Sequence, residues 1–484
     1  MFHSSPSSFR LSVVAFGCIC ASCSLTPEAD YPPIVDQIST LAAFQSELPK
    51  SAEISPSEGW WIYIGGAELD ALVRTLIENN FSLTEAREDI TQSIERYHIN
   101  RGQRLPAVNL STGNARTNFL QPSGEFDWID SFDLDLTATL ESDVFGRLRS
   151  AERSSYLSIE ATKLTYRARE QQEIARLASN WIAASTLQRR LDLARDTAAS
   201  FQSTYELTDQ RYRGGSTGVS ANDVQIARQN YESSLIDIPD LEAQYKTQLF
   251  EIDTQVASLP GQTQKSFLGS IDLKTLSAPN LDVPSAILSS RPDIAAADFR
   301  YRAALEDIGS AKASLYPALN LSASLSFSGE SASDALDWDA RIARLSQNLT
   351  QPLFQGGRLK AQVRLEQSEA RELATVFART ALEALTDIEA ALTDLRSLSE
   401  QRRRQAEAVE TARTSNTLAQ SRYRQGSTSI LSVLETQRSL NNAALNLILI
   451  EQAFLNAHVE LALSQGGHWF PAPKETGGAH DGSS

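Results

Sequence analysis

The chain has 484 residues, 41% of them apolar and 21% charged, and its formal net charge is −16. This apolar content is enough for a large core, and the acidic balance argues against the basic footprint of a nucleic-acid binder. Met1 is the only methionine, so the sequence offers no methionine-rich metal-binding or adaptable surface. The three cysteines lie at 18, 20 and 23, which leaves none in the body for a disulfide framework or a structural zinc site.

The first element is a leader. Arg10 ends a short basic region, Leu11 to Cys20 is apolar, and small residues lead into Cys23. This is a secretory signal over residues 1–22, too short to remain as a spanning helix. Cys20-Ala-Ser-Cys23 has the form of a bacterial lipoprotein cleavage box, which would make Cys23 the lipidated first residue. Ala15-Phe-Gly-Cys18 is the competing box, and an ordinary cleaved signal is the third reading. Beyond the leader there is no run of about 18 apolar residues, the length a membrane-spanning helix needs.

A helix comes next and then segments of alternating character. Phe132 to Leu140 alternates apolar and polar residues, while Val108–Asn114, Leu319–Phe327 and Ala343–Leu353 do so less cleanly. They read as four strands in two hairpins. A tilted membrane strand and a soluble half-buried strand share this period. Open sheet edges are not tolerated in lipid, so membrane strands contributed four at a time must close with those of other copies.

Long helices follow each hairpin. From about Ser142 to Tyr212, and again from about Arg358 to Tyr423, there is no proline. In the second stretch Leu382, Leu385, Ile388, Leu392, Leu395 and Leu398 recur at spacings of three and four, a coiled-coil-like stripe. A helix of ~65 residues is roughly 100 Å long, far beyond the ordinary length. Return helices are expected at about Ser220–Ser258 and Ser432–Gln465, each with a candidate capping box, Ser220-x-x-Asp223 and Ser432-x-x-Glu435. Between long and return helices stand two echoes, RYRGGST at 211–217 and RYRQGST at 422–428. Gly215 and Gly426 suit helix termination, and Arg211, Arg213, Arg422 and Arg424 suit the negative end of a helix. As an anion loop the phrase is weak, because no Gly-Lys-Ser/Thr follows.

The echo is general. LPAVNLS at 105–111 matches YPALNLS at 316–322, and Gly146-Arg147 matches Gly357-Arg358, all offset by 211. The chain is a tandem duplication, each half ordered helix, two strands, long helix, turn, return helix. No catalytic constellation or nucleotide loop is present in the sequence, and His98, His458 and His468 are dispersed without metal spacing. The sequence therefore implies no enzyme and no cofactor.

Several phrases then carry a resemblance: Ser290-Arg-Pro-Asp-Ile-Ala-Ala-Ala297, Ile308-Gly-Ser-Ala-Lys-Ala313, Tyr316-Pro-Ala-Leu-Asn-Leu321, Asp143-Val-Phe-Gly-Arg147 and Pro352-Leu-Phe-Gln-Gly-Gly-Arg358. With Trp60-Trp61 and Gly466-Gly-His-Trp469, their order resembles the TolC-like outer-membrane efflux factors of Gram-negative bacteria, over about residues 23–470. The likeness is to the lipoprotein branch (NodT/OprM-like) that works with RND pumps. It implies a mainly α protomer with a membrane β-barrel part, assembled as a homotrimer with a 12-stranded barrel continued by a periplasmic helical tunnel. It also implies a lipid-anchored exit duct in the outer membrane that partners a periplasmic adaptor and an inner-membrane RND transporter. Polypeptide export by type I secretion and metal-ion efflux are the alternatives.

The expected organisation is a signal at 1–22, a lipidated periplasmic segment at 23–62, a first repeat at 63–259, a linker at 260–290, a second repeat at 291–465 and a tail at 466–484. By the resemblance, Arg211, Tyr212, Arg213, Gly215, Arg422, Tyr423, Arg424 and Gly426 would form the adaptor-contact tip. Leu431 would be the apolar constriction of a periplasmic gate, Glu435 a ring of carboxylates and Arg438 its neighbour one turn on. Members commonly carry Asp where this chain has Glu435. Plain readings stand beside these: Leu431 as core, Ser432 and Glu435 as a helix cap, and the tip arginines as a solvated turn.

Overall fold

The computed structural model describes residues 25–41, 59–120, 122, 124–267, 269, 291–334 and 337–466. Cys18, Cys23, most of the 260–290 linker and the tail beyond Gly466 lie outside these. The described elements are α1 (Pro33–Ser39), α2 (Ile62–Asn79), α3 (Phe81–Gly102), β1 (Ala107–Leu120), β2 (Phe126–Ser142), α4 (Arg147–Arg213), α5 (Ala221–Leu235) and α6 (Asp237–Gln255). Then come α7 (Pro292–Ala313), β3 (Ala318–Gly329), β4 (Arg341–Thr350), α8 (Arg358–Arg424) and α9 (Ile430–Ser464).

The duplication is carried in the backbone. α4 and α8 each run 67 residues, and their first residues, 147 and 358, stand 211 apart. The pairs α3 and α7, and β1 and β3, also begin 211 residues apart. The compact units nevertheless cut across the two repeats: one draws on residues 25–28, Ile99–Ser154 and Leu305–Ser368, the other on Ala29–His98, Ser155–Ala304 and the residues from Glu369 on.

The first unit holds one antiparallel sheet in the order β1-β2-β3-β4. Its register sets Leu110 opposite Leu136 and Leu136 opposite Leu325, and Leu325 opposite Ala343. Because side chains alternate across a strand, this row and its neighbours two residues on make one face apolar. Asp133, Asp135 and Thr137 on β2, with Ser324, Ser326 and Ser328 on β3, make the other polar. The apolar face is bare: Val108, Leu110, Leu345 and Leu349 are 64, 67, 85 and 66% exposed. A half-buried soluble sheet would cover this face, so the exposure favours the membrane reading of the alternation. The strands outrun the expected lengths at β1 and β2, with 14 and 17 residues. β4 stops at Thr350, short of the expected Leu353.

α4 starts at Arg147 rather than near Ser142, because β2 continues to Ser142. Asp143 then takes the free amides of Leu148 and Arg149 at 3.0 and 2.8 Å, which explains the Asp-Val-Phe-Gly-Arg phrase as a cap. In the same unit the N-terminal residues lie along α7. Thr26 Oγ1 donates to Glu306 (2.9 Å) and Lys312 Nζ to the Leu25 carbonyl (3.3 Å). Gly309 makes room there, since a Cβ would meet Thr26 Oγ1 at 2.6 Å.

The second unit has a conventional apolar core in which Leu69, Leu177, Trp181, Ile182, Leu249, Ile252 and Leu455 are fully buried. Asn80 links α2 to α3, accepting from Leu83 N–H at 3.0 Å and donating to the Gln255 carbonyl at 2.8 Å. Arg291 explains the Ser-Arg-Pro-Asp phrase: it pairs with Asp293 at 2.7 Å and donates to the Ser464 carbonyl at the end of α9 (3.1 Å).

Three expectations are corrected. The first return helix is not continuous but breaks at Ile236, because Pro239 has no N–H for the carbonyl four residues back and its ring crowds that turn. Leu382 is 45% exposed and leaves the stripe, whose buried face is Ala381, Ala384, Ile388, Ala391, Leu392 and Leu395. The Ser432-x-x-Glu435 capping box does not form, since α9 begins at Ile430 behind Ser429, which makes no side-chain cap bond. Of the two candidate boxes, the one that closes is Ser220 with Asp223. By length and composition α9 alone among the described helices could cross a bilayer, yet half of its most apolar window is buried, as in a packed core helix.

Candidate functional site at the helical tips

Both echoes end a long helix in the same way. Gly215 and Gly426 take positive φ, +71° and +77°. Gly215 N–H returns to the Tyr212 carbonyl (3.0 Å) and Ser216 N–H to that of Arg211 (3.0 Å). In the second copy, Gly426 and Ser427 repeat both bonds to Tyr423 and Arg422 at 2.9 Å. Glycine is needed because a Cβ disfavours the left-handed turn that brings these amides back.

The copies then diverge. Tyr423 is 3% exposed, whereas Tyr212 is 45% exposed. Arg211 reaches from the first tip to the second: its guanidinium lies 4.7 Å from the Tyr423 ring centre and donates to the Tyr423 carbonyl. A cation is thus held both over a π face and at the negative end of α8. The Tyr423 hydroxyl meets Thr208 Oγ1 at 3.0 Å, and Thr208 also donates to the Thr204 carbonyl at 2.7 Å. Arg213 pairs with Asp209 one turn back (2.9 Å). Arg422 and Arg424 are exposed.

Beneath this clasp lies an apolar cluster of Phe201, Ala419, Tyr423, Ile430, Val433 and Leu434. Beside it, Gln437 is 5% exposed. Its amide donates to Ser200 Oγ and Thr204 Oγ1, both at 2.8 Å. The sequence reading missed this polar seam. Its signal was the four-residue spacing of Ser200, Thr204 and Thr208 on a face otherwise meant for core. Such a seam can separate at modest cost, because water replaces the hydrogen bonds it loses.

The expected gate residues share one face of α9. Leu431 is 54% exposed, so it is not core, and Glu435 and Arg438 are exposed with it. Arg438 lies 3.8 Å from Glu435, a solvated pair of little energetic weight. Ile430, Val433 and Leu434 face the cluster instead. Asp223 is the third residue of α5 and Glu435 the sixth of α9, so the two acids are not counterparts. Among the described residues no cluster of three or more His, Cys, Asp or Glu could hold a metal.

A family profile described as outer membrane efflux protein matches residues 72–256 and 283–467. The chain belongs to the outer membrane efflux protein family. Its two matched segments hold the two repeats, and membership makes it a non-enzymatic outer-membrane channel of an efflux system. Among curated relatives, the pyoverdine export outer membrane protein OpmQ of Pseudomonas putida is 30% identical over 452 residues, covering 90% of this chain and 94% of that protein. The probable outer membrane lipoprotein SilC of Salmonella typhimurium is 25% identical over 471 residues, covering 95% and 99%. Among solved structures, the outer-membrane channel OprN superposes with a TM-score of 0.82 at 24% identity, over 93% of this chain and all of that one.

Proposed function

We propose that three copies of this chain form one exit duct, each donating four strands to a 12-stranded barrel. The observation that carries this reading is the sheet. It presents a bare apolar face backed by a polar one, and β1 and β4 are its two edges. In lipid an edge must find a partner, and four strands are too few to close on themselves. Pairing β4 of one copy with β1 of the next satisfies both demands. The apolar face then meets lipid and Asp133, Asp135 and the serines line the lumen.

The helical tips are the gate. Leu431 narrows the passage, Glu435 rings it with carboxylates, and Arg438 sits beside Glu435. Contact of a periplasmic adaptor with Arg211 to Gly215 and Arg422 to Gly426 biases the tips toward opening, with an inner-membrane RND transporter supplying energy. Cys23 is the lipid anchor, with Cys18 the alternative site. The lipoprotein SilC supports an anchor, and the short interval to the strap at Leu25 and Thr26 suits one.

Leu431→Ala combined with Glu435→Ala is expected to raise single-channel conductance in planar bilayers. Neither side chain supports the fold, so unchanged conductance in a folded trimer would remove this face of α9 from the gate.

A further inference from the structure

The two tip phrases offer two possible Arg–Tyr clasps, and one protomer closes only one of them. Arg211 of the first phrase holds Tyr423 of the second. Arg422 stands where Arg211 does, and Tyr212 where Tyr423 does, each 211 residues along. Yet Tyr212 is 45% exposed, and the exposed Arg422 side chain has no hydrogen bond or ion pair among the described residues. We propose that Arg422 closes on the ring and carbonyl of Tyr212 in the adjacent copy of this chain, so that the open halves form the seam between protomers. The inference rests on the trimeric reading above.

Three observations support it. First, α3 and α7, β1 and β3, and α4 and α8 keep one offset, so a ring of three copies is a ring of six similar repeats. Its seams alternate, one within each protomer and one between neighbours, and similar surfaces in similar places make similar contacts. Second, the acceptor is ready. The Tyr212 carbonyl takes the Gly215 amide as the Tyr423 carbonyl takes that of Gly426. One lone pair remains on each, and Arg211 already uses the one on Tyr423. Third, the approach is clear. A Cβ at Gly426 would stand 3.4 Å from the Arg211 guanidinium, whereas one at Gly215 would meet nothing within 4 Å.

The seams are alike but not equal. Ala419 occupies the place of Thr208, so the Tyr212 hydroxyl finds no counterpart of the Thr208–Tyr423 bond. The clasp between protomers is therefore the weaker one, and separation of the tips starts there rather than within a protomer.

The test is a Tyr212→Cys/Arg422→Cys double variant of the full chain. Both positions are exposed, and no native cysteine follows Cys23. Native trimers extracted from outer membranes are treated with a short bismaleimide and resolved on denaturing gels. Covalent two- and three-chain bands from the double variant, absent from either single variant, are the expected result. Single-chain bands alone from intact trimers would overturn the clasp and leave the trimeric channel standing. Absence of any trimer before cross-linking would overturn both, and equal bands from a single variant would refute the Arg422–Tyr212 pairing.

Discussion

Replacing Tyr423 by phenylalanine removes one oxygen from the tip and keeps the ring. The lost contact is the buried 3.0 Å hydrogen bond to Thr208. Thr208 retains its bond to the Thr204 carbonyl at 2.7 Å, so no group is left unsatisfied. The cost is therefore the net value of one buried hydrogen bond, about 0.5–1.5 kcal/mol. Full opening parts this seam after the one between protomers, so losing the bond lowers the ratio of closed to fully open tips by about 2- to 12-fold, at about 1.4 kcal/mol per decade. Arg211→Ala removes more: a charge-assisted bond of about 1.5–3 kcal/mol and a cation–π contact of about 0.5–2 kcal/mol. Its shift is then roughly 30-fold or larger. Dwell times of single channels in planar bilayers report both. Equal effects from the two variants, or no change in either, would refute the apportioning of the clasp.

Asp253 is fully buried and accepts from Gly261 and Thr263 amides at 2.7 and 2.8 Å. Asp253→Ala strands both donors; Gly261 is half-buried and can recruit water, so a loss of about 2–4 kcal/mol is expected in chemical denaturation. His458 packs edge-on against Phe454, 4.5 Å away, and burial holds its pKa below the usual 6.5. Below that pH the unfolded chain takes a proton that the folded one refuses, so stability falls as the pH drops through 6.5. His458→Gln should flatten that part of the melting profile. Gly309→Ala sets a methyl 2.6 Å from Thr26 Oγ1 and 3.0 Å from Ser150 Oγ. Limited proteolysis near residues 25–28 should quicken while the sheet stays intact.

The repeat made much of this fold legible. Three short phrases at one offset foretold two helices of equal length, and the alternation in β2 foretold its faces. What the sequence left hidden was local. Pro239 interrupts the first return helix, and it weighs little against the long apolar period around it. The serine at 429 opens α9, although Ser432 and Glu435 have the better capping spacing. At the tip, near-identical phrases gave no sign that Tyr423 is buried and Tyr212 is not. That asymmetry comes from which long helix each tyrosine meets in the folded chain, not from the phrase itself. Gln437 was missed because a polar residue at a core position reads as an interruption until its partners Ser200 and Thr204 are in view.

The most direct test of the account is to image the purified protein in lipid nanodiscs by single-particle microscopy. Three copies around one axis and twelve strands are expected, with Thr350 of β4 at the seam against β1 of the next copy. A particle of one copy, or a ring in which β1 and β4 stay unpaired, would contradict the account.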